Sequence, residues 1–209
     1  MRLDYERDGA AIYRASFATI RGEADLSATP PDLEAVVVRM IHASGMTDLP
    51  PLVAASADFA AAARAALRAG APILADSRMV ANGITRSRLP ADNEIVCTLD
   101  HPDVPTDARA ARTTRSAAAV DRWLPVADGA VAVFGNAPTA LFRLLELVLD
   151  ERARPAAIIG LPVGFVGAAE SKDALATLDH GVPHLIVQGR RGGSAMAAAA
   201  VNALASDEE

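Results

Sequence analysis

The sequence predicts an α/β chain: a single-domain, three-layer α/β/α sandwich built on a mainly parallel sheet. Two observations carry that expectation. Short apolar blocks alternate with longer helix-period segments, the pattern of buried parallel strands joined by crossovers. The 209 residues show no composition shift, internal repeat or long linker that would mark a second domain.

Asp8 to Ile20 reads as the first helix, with Ile12, Ala15, Phe17 and Ile20 apolar and an end near Gly22. Ser27-Ala28-Thr29-Pro30 links it to a second helix, in which Leu33, Val36, Val37, Met40 and Ile41 follow the three-to-four spacing of one buried face. Gly45 permits the left-handed turn that ends such a helix. After Pro50-Pro51 comes a short apolar run, Leu52 to Ala55, then an alanine-rich helix over Asp58 to Ala69. Gly70-Ala71-Pro72 breaks that helix before a compact strand, Ile73 to Asp76, and a short helix over Ser77 to Ile84. Glu94 to Leu99 is a strand, and Asp100 to Asp107, with its two prolines, is expected as surface loop. A helix over Thr113 to Leu124 leads to a strand at Ala130 to Phe134. Gly135-Asn136-Ala137-Pro138-Thr139 opens a helix through Leu149, with Asn136 as the expected cap. Strand Ala156 to Gly160, a glycine-rich loop, a helix through Leu178, strand His184 to Val187 and a helix over Gly193 to Ala205 complete the order. The Asp-Glu-Glu tail is expected to fray.

Composition narrows the function. The chain is 51% hydrophobic but 4% aromatic, so its core must be built from Ala, Val, Leu and Ile. Lys172 is the only lysine among 20 basic residues, and arginine is the better carboxylate clamp, being planar and bidentate. A net charge of -6 argues against a general nucleic-acid binder. Cys97 stands alone, which excludes an intrachain disulfide and suggests a buried small hydrophobe. Met1 to Gly9 is charged and has no apolar core, and the apolar stretches are short and broken. Neither a signal peptide nor a membrane span is expected, and the chain reads as cytoplasmic.

Ligands of such sheets bind beyond the carboxyl ends of the strands, which directs attention to the loops starting at Asp76, Gly135, Gly160 and Gln188. Free amides at Gly135 to Thr139 suit an anion, or are simply a well-made helix start. Gly160 to Gly167 matches neither the Gly-Lys-Ser/Thr phosphate loop nor the dinucleotide Gly-x-Gly-x-x-Gly pattern, so no nucleotide cofactor is expected. Gly189-Arg190-Arg191-Gly192-Gly193-Ser194 is an anion site or a solvated turn. His101 has no evident partner, Gly181 and Pro183 separate His180 from His184 in any helix, and no metal site is expected. No Gly-x-Ser-x-Gly elbow accompanies Ser44.

The most suggestive stretch is Arg39 to Met46. His42 falls in the last turn of its helix, where the negative end of the dipole should favour imidazolium and raise the pKa. That suits a general acid, and Arg39, one turn earlier, suits an anionic ligand. The alternative is a helix-capping histidine beside a solvated arginine.

Taken together, Tyr13 to Phe17, Met40 to Met46, Asp76 to Val80, Gly83 to Arg86, Gly135 to Leu147, Ile159 to Lys172 and Gly189 to Leu204 resemble, in order, the precorrin-8X methylmutase family. The resemblance spans essentially the whole chain. It implies an α/β homodimer of cobalamin biosynthesis, with its site near the subunit interface. It also implies migration of a methyl group from carbon 11 to carbon 12 of precorrin-8X, giving hydrogenobyrinic acid, or the same reaction on cobalt-precorrin-8. His42 matches the family's catalytic histidine, a proton donor. Ser16 and Arg39 match substrate-contact positions, as do Thr85 and Arg115. Ser44 departs from a cysteine expected in many relatives. The substrate is a flat tetrapyrrole rimmed by carboxylates, which Arg39, Arg78, Arg86, Arg115, Arg190 and Arg191 suit as a clamp. An internal shift needs no cofactor. Alternatives are a small hydrolase on the same plan and a non-catalytic corrinoid carrier.

Overall fold

The computed structural model describes residues 3–206, so the acidic tail at 207–209 lies outside the described residues. Nine helices and six strands alternate among those residues. The helices are α1 Gly9–Glu23, α2 Glu34–Ser44, α3 Phe59–Arg68, α4 Arg78–Gly83, α5 Val104–Ala110, α6 Arg115–Asp121, α7 Pro138–Leu149, α8 Ala168–Thr177 and α9 Ser194–Ala205. The strands are β1 Val53–Ala55, β2 Ile73–Ala75, β3 Ile95–Val96, β4 Val131–Phe134, β5 Ala157–Gly160 and β6 His184–Val187. They form one sheet in the order β1-β6-β5-β4-β2-β3. Every pairing is parallel except that of β1 with β6, so the run at Leu52 to Ala55 supplies an antiparallel edge.

Alternation along the strands divides the core. Ile73, Ala75, Val131, Val133, Ile159 and Leu185 face the layer of α1, α2, α3, α4 and α9. Leu74, Ala132, Phe134, Ile158 and Ile186 face α6, α7 and α8. This is the expected three-layer sandwich. Alanine makes the first layer thin: a Cβ on Gly83 of α4 would meet the Cβ of Ala198 on α9 at 2.7 Å.

Two local expectations fail. The second half of the expected loop Asp100 to Asp107 instead begins α5, Val104–Ala110, with Pro105 in its first turn. Val104 and Ala108, four apart, pack on Ala118 and Ala119 of α6, and this small cluster outweighs the proline signal. Asn136 does not cap α7; Ala137 occupies that position without a side-chain bond. Asp76, at the end of β2, does the work instead. Its carboxylate accepts the N–H groups of Gly135 (3.1 Å), Asn136 (2.8 Å) and Ala137 (2.7 Å). β2 and β4 are neighbours whose onward connections leave in opposite directions, so the crevice beyond them is the usual ligand position of a doubly wound sheet. Here the protein's own carboxylate fills it, and of the two readings of these amides the helix start fits, since Asp76 takes them.

Candidate active site

The site forms where α1, α2, α4 and α9 meet. α2 buries Val36, Val37, Met40 and Ile41. That leaves Arg39 and His42, one turn apart, on a half-buried flank. Gly45 ends the helix in the left-handed conformation, at φ 69°, as its sequence predicts. α1 lies alongside and presents Tyr13, Ser16 and Phe17 to the histidine. The Ser16 hydroxyl lies 2.8 Å from His42 Nδ1. The rings of Tyr13 and Phe17 sit 5.3 Å and 5.2 Å from the imidazole. Arg39 stacks over the Phe17 ring at 5.3 Å. With Ser16 on Nδ1, the other ring nitrogen, Nε2, is left for a bound molecule.

A cleft of about 410 Å³ opens beside this group, lined by Tyr13, Arg39, His42, Thr85 and Arg88, with Ala195, Ala198 and Ala199 of α9 as its wall. Asn202, a lone amide in that alanine-rich helix, fixes the opposite lip. Its Oδ1 accepts the Thr85 N–H at 2.8 Å and its Nδ2 donates to the Gly83 carbonyl at 3.0 Å. Asn202 and Arg88 were missed by sequence reasoning. The polar interruption of an alanine helix could have pointed to the first; nothing separates Arg88 from other surface arginines.

The expected dipole effect on His42 is overturned. Burial, and then the Arg39 guanidinium beside it, hold its pKa below the ordinary histidine value. Two carbonyls of the last turns also have local donors. Gly45 N–H donates to the Ile41 carbonyl at 2.7 Å and the Ser44 hydroxyl to the Met40 carbonyl at 2.9 Å. Burial and Arg39 thus both favour the neutral imidazole, and Ser44 serves its own helix.

Of the sequence-predicted residues, Ser16, Arg39, His42 and Thr85 come together; the remaining arginines do not join them in one chain. Arg78 and Arg86 line a separate cleft of about 450 Å³, along with Cys97, which packs against the core but is half-buried rather than buried as expected. Arg78 pairs with Asp100, and Arg115 approaches the same carboxylate at 3.8 Å. Arg190 stacks over Phe165 at 5.2 Å, and Arg191 pairs with Asp48 at 2.8 Å. His101, expected to be partnerless, lies 3.6 Å from Asp103.

Fold and site together define a doubly wound α/β protein with a small-molecule cleft, in which a histidine stands between arginines and an alanine wall. Comparison with known proteins makes this specific. The precorrin-8X methylmutase family model matches residues 11–207. The chain is 59% identical over 207 residues to precorrin-8X methylmutase from Pseudomonas aeruginosa, covering 99% of this chain and 100% of that protein. It is 57% identical over 202 residues to the Sinorhizobium sp. protein of the same name, covering 97% and 96%. The crystal structure of precorrin-8X methylmutase from Thermus thermophilus superimposes with a TM-score of 0.85 at 42% identity, covering 94% of each chain. The chain belongs to the precorrin-8X methylmutase family.

Proposed function

We propose that this chain is the isomerase that moves a methyl group from carbon 11 to carbon 12 of precorrin-8X, yielding hydrogenobyrinic acid on the way to cobalamin. The observation that carries the reading is the Ser16–His42 pair, 2.8 Å apart and beside Arg39, in a cleft of a chain from this family. The bond to carbon 11 breaks as the bond to carbon 12 forms within one molecule, so nothing is oxidised and no cofactor is consumed. What the protein supplies is charge placed where the transition state needs it.

Arg39 holds a peripheral carboxylate in this reading, and Thr85 and Ser16 line its seat. Tyr13 and the alanines of α9 give a flat ring system an apolar surface. The Ser16 hydroxyl steadies the imidazole at Nδ1, so Nε2 faces the macrocycle, gives it a proton as the methyl group moves and recovers one as the product tautomer forms, with no net gain of protons by the ring. His42 is neutral in the empty cleft. The carboxylates of the substrate supply the negative charge that draws a proton onto it, offsetting Arg39. The two relatives above 55% identity carry the metal-free substrate in their names, which supports precorrin-8X over its cobalt form.

The proposal extends to a cytoplasmic homodimer in which Arg78, Arg86, Arg115, Arg190 and Arg191 complete the carboxylate clamp. Ile12 and Tyr13 on α1 are 46% and 48% exposed, and Tyr13 lines the cleft, which supports a second copy there.

Turnover and affinity separate the roles. His42→Ala should lower conversion of precorrin-8X at least about 10²-fold, the low end for a positioned general acid, with far less effect on binding of hydrogenobyrinic acid. Arg39→Ala should do the reverse, weakening binding by about 1.5–3 kcal/mol, the scale of a charge-assisted hydrogen bond. Near-parental turnover by folded His42→Ala protein would make His42 a structural residue and the mechanism wrong.

A further inference from the structure

Lys172 is the sole lysine of a chain that otherwise uses arginine, and the structure buries it completely within α8. Its Nζ donates to the backbone carbonyl of Arg191 at 2.6 Å. A buried ammonium is costly to desolvate, and a Met or Leu of similar size would pack there without that cost. Burial shows in its acidity: the pKa is pushed down to about 8, against a weak opposing pull from Asp173. A guanidinium is wider and planar; a compact ammonium on a thin stem is the group that can grip one carbonyl from below.

The carbonyl it grips belongs to a loop that governs the site. Residues 190–193 connect β6 to α9 and are fastened to the segment after β5. Gly193 N–H donates to the Leu161 carbonyl at 2.8 Å, and Gly164 N–H to the Arg190 carbonyl at 3.3 Å. Gly192 passes so close that a Cβ there would fall 2.3 Å from the Leu161 oxygen. From this loop Arg191 reaches Asp48, ahead of β1, and α9 begins. Ala195, Ala198, Ala199 and Asn202 of α9 then form the wall of the His42 cleft.

We infer that Lys172 is a positioning residue of the methylmutase site: its ammonium fixes the Arg190–Gly193 loop, and through it sets the arginine pair and the α9 wall that receive the substrate's carboxylates and ring. The inference rests on the methylmutase reading, and it separates two jobs: Lys172 governs how tightly the corrinoid is held, and His42 governs the chemistry.

The test replaces Lys172 by Met, which keeps length and loses the donor, and by Gln, which keeps a donor on a shorter stem. KM for precorrin-8X and Kd for hydrogenobyrinic acid should rise at least about tenfold in Lys172→Met, with kcat falling less than about threefold and Lys172→Gln lying between. A lower melting temperature with KM and kcat unchanged in the folded fraction would reduce Lys172 to a structural residue and overturn the inference. The parent protein gives a second measurement that needs no variant. With one lysine in the chain, an amine acylating reagent modifies only Lys172 and the amino terminus, which peptide mass analysis distinguishes. The buried Lys172 amine can react only when the loop loosens, so saturation with hydrogenobyrinic acid should slow its modification at least about fivefold; an unchanged rate overturns the inference. Absence of any precorrin-8X turnover by the parent protein would instead remove the methylmutase reading on which it stands.

Discussion

Replacing Asp76 by Asn tests whether the filled crevice between β2 and β4 holds the fold together. The carboxylate accepts three backbone N–H groups, one on Oδ1 and two on Oδ2, at the start of α7. An asparagine can set its single oxygen at the position that accepts Asn136 and Ala137. Its amide nitrogen then faces the Gly135 N–H, donor against donor, in a buried place. One hydrogen bond to a charged acceptor is lost, about 1.5–3 kcal/mol, and the two that remain become neutral pairs of roughly half the strength. Loss of a negative charge at a helix N-terminus adds about 0.3–1 kcal/mol. An opposing effect reduces the sum. Burial raises the Asp76 pKa, against the pull of the same three N–H groups and of Ser77, and a neutral amide escapes that desolvation. A net cost of about 2–4 kcal/mol follows, enough to lower a urea midpoint by about 1–2 M while leaving a folded protein. Equilibrium urea unfolding followed by circular dichroism reads it directly. A midpoint within about 0.2 M of the parent, at unchanged slope, would mean that the crevice tolerates an empty acceptor and that Asp76 is not a pin.

The remaining predictions concern pH and assembly. Imidazolium is the donor form and the free-site pKa of His42 is lowered, so kcat/KM should fall as pH rises through a value below the ordinary 6.5, while the corresponding limb of kcat lies higher; coincident limbs would refute charging of His42 by the substrate. Because His42 and His184 both titrate below their unfolded value, the stability they allow is present above that value and lost as pH falls through it, measurable as a falling melting temperature. Light scattering at micromolar concentration should give the mass of a dimer, and a monomer with full activity would remove the second copy from the clamp.

Most of the fold was legible because its signals are local. The strand blocks at Ile73, Ala130 and His184 and the Gly45 stop each reflect a few neighbouring residues, and each reappears within a residue or two. What escaped was long-range. Asn136 has the right chemistry to cap α7, yet Asp76, some sixty positions earlier, takes the amides because the parallel register of β2 and β4 sets its carboxylate beneath them. Two prolines marked residues 100–107 as loop, while the partners that make α5 a helix, Ala118 and Ala119, lie on another element. The same divide runs through the site. Ser16, Arg39, His42 and Thr85 were picked out and do converge, whereas Arg78, Arg86 and Cys97 share a different cleft on the far side of α4, a separation that no spacing along the chain records.

The direction of the His42 shift shows why that separation matters for chemistry. Position in a helix argued for imidazolium, since the last turn of α2 should carry negative partial charge. Burial comes first among the causes that lower the pKa instead, and the positive Arg39 beside the ring comes second. A histidine charged before binding would repel the arginine that must seat the ligand and would lose its proton to water at neutral pH. A neutral one coexists with Arg39, and in the proposed mechanism the anionic substrate that the arginine attracts is also what makes the proton stable on the ring. In the proposed mechanism Arg39 thus has two effects of opposite sign on His42: it helps burial hold the proton off while the cleft is empty, and it brings in the carboxylates that put the proton on, so the acid would be armed only with a macrocycle in place to receive its proton.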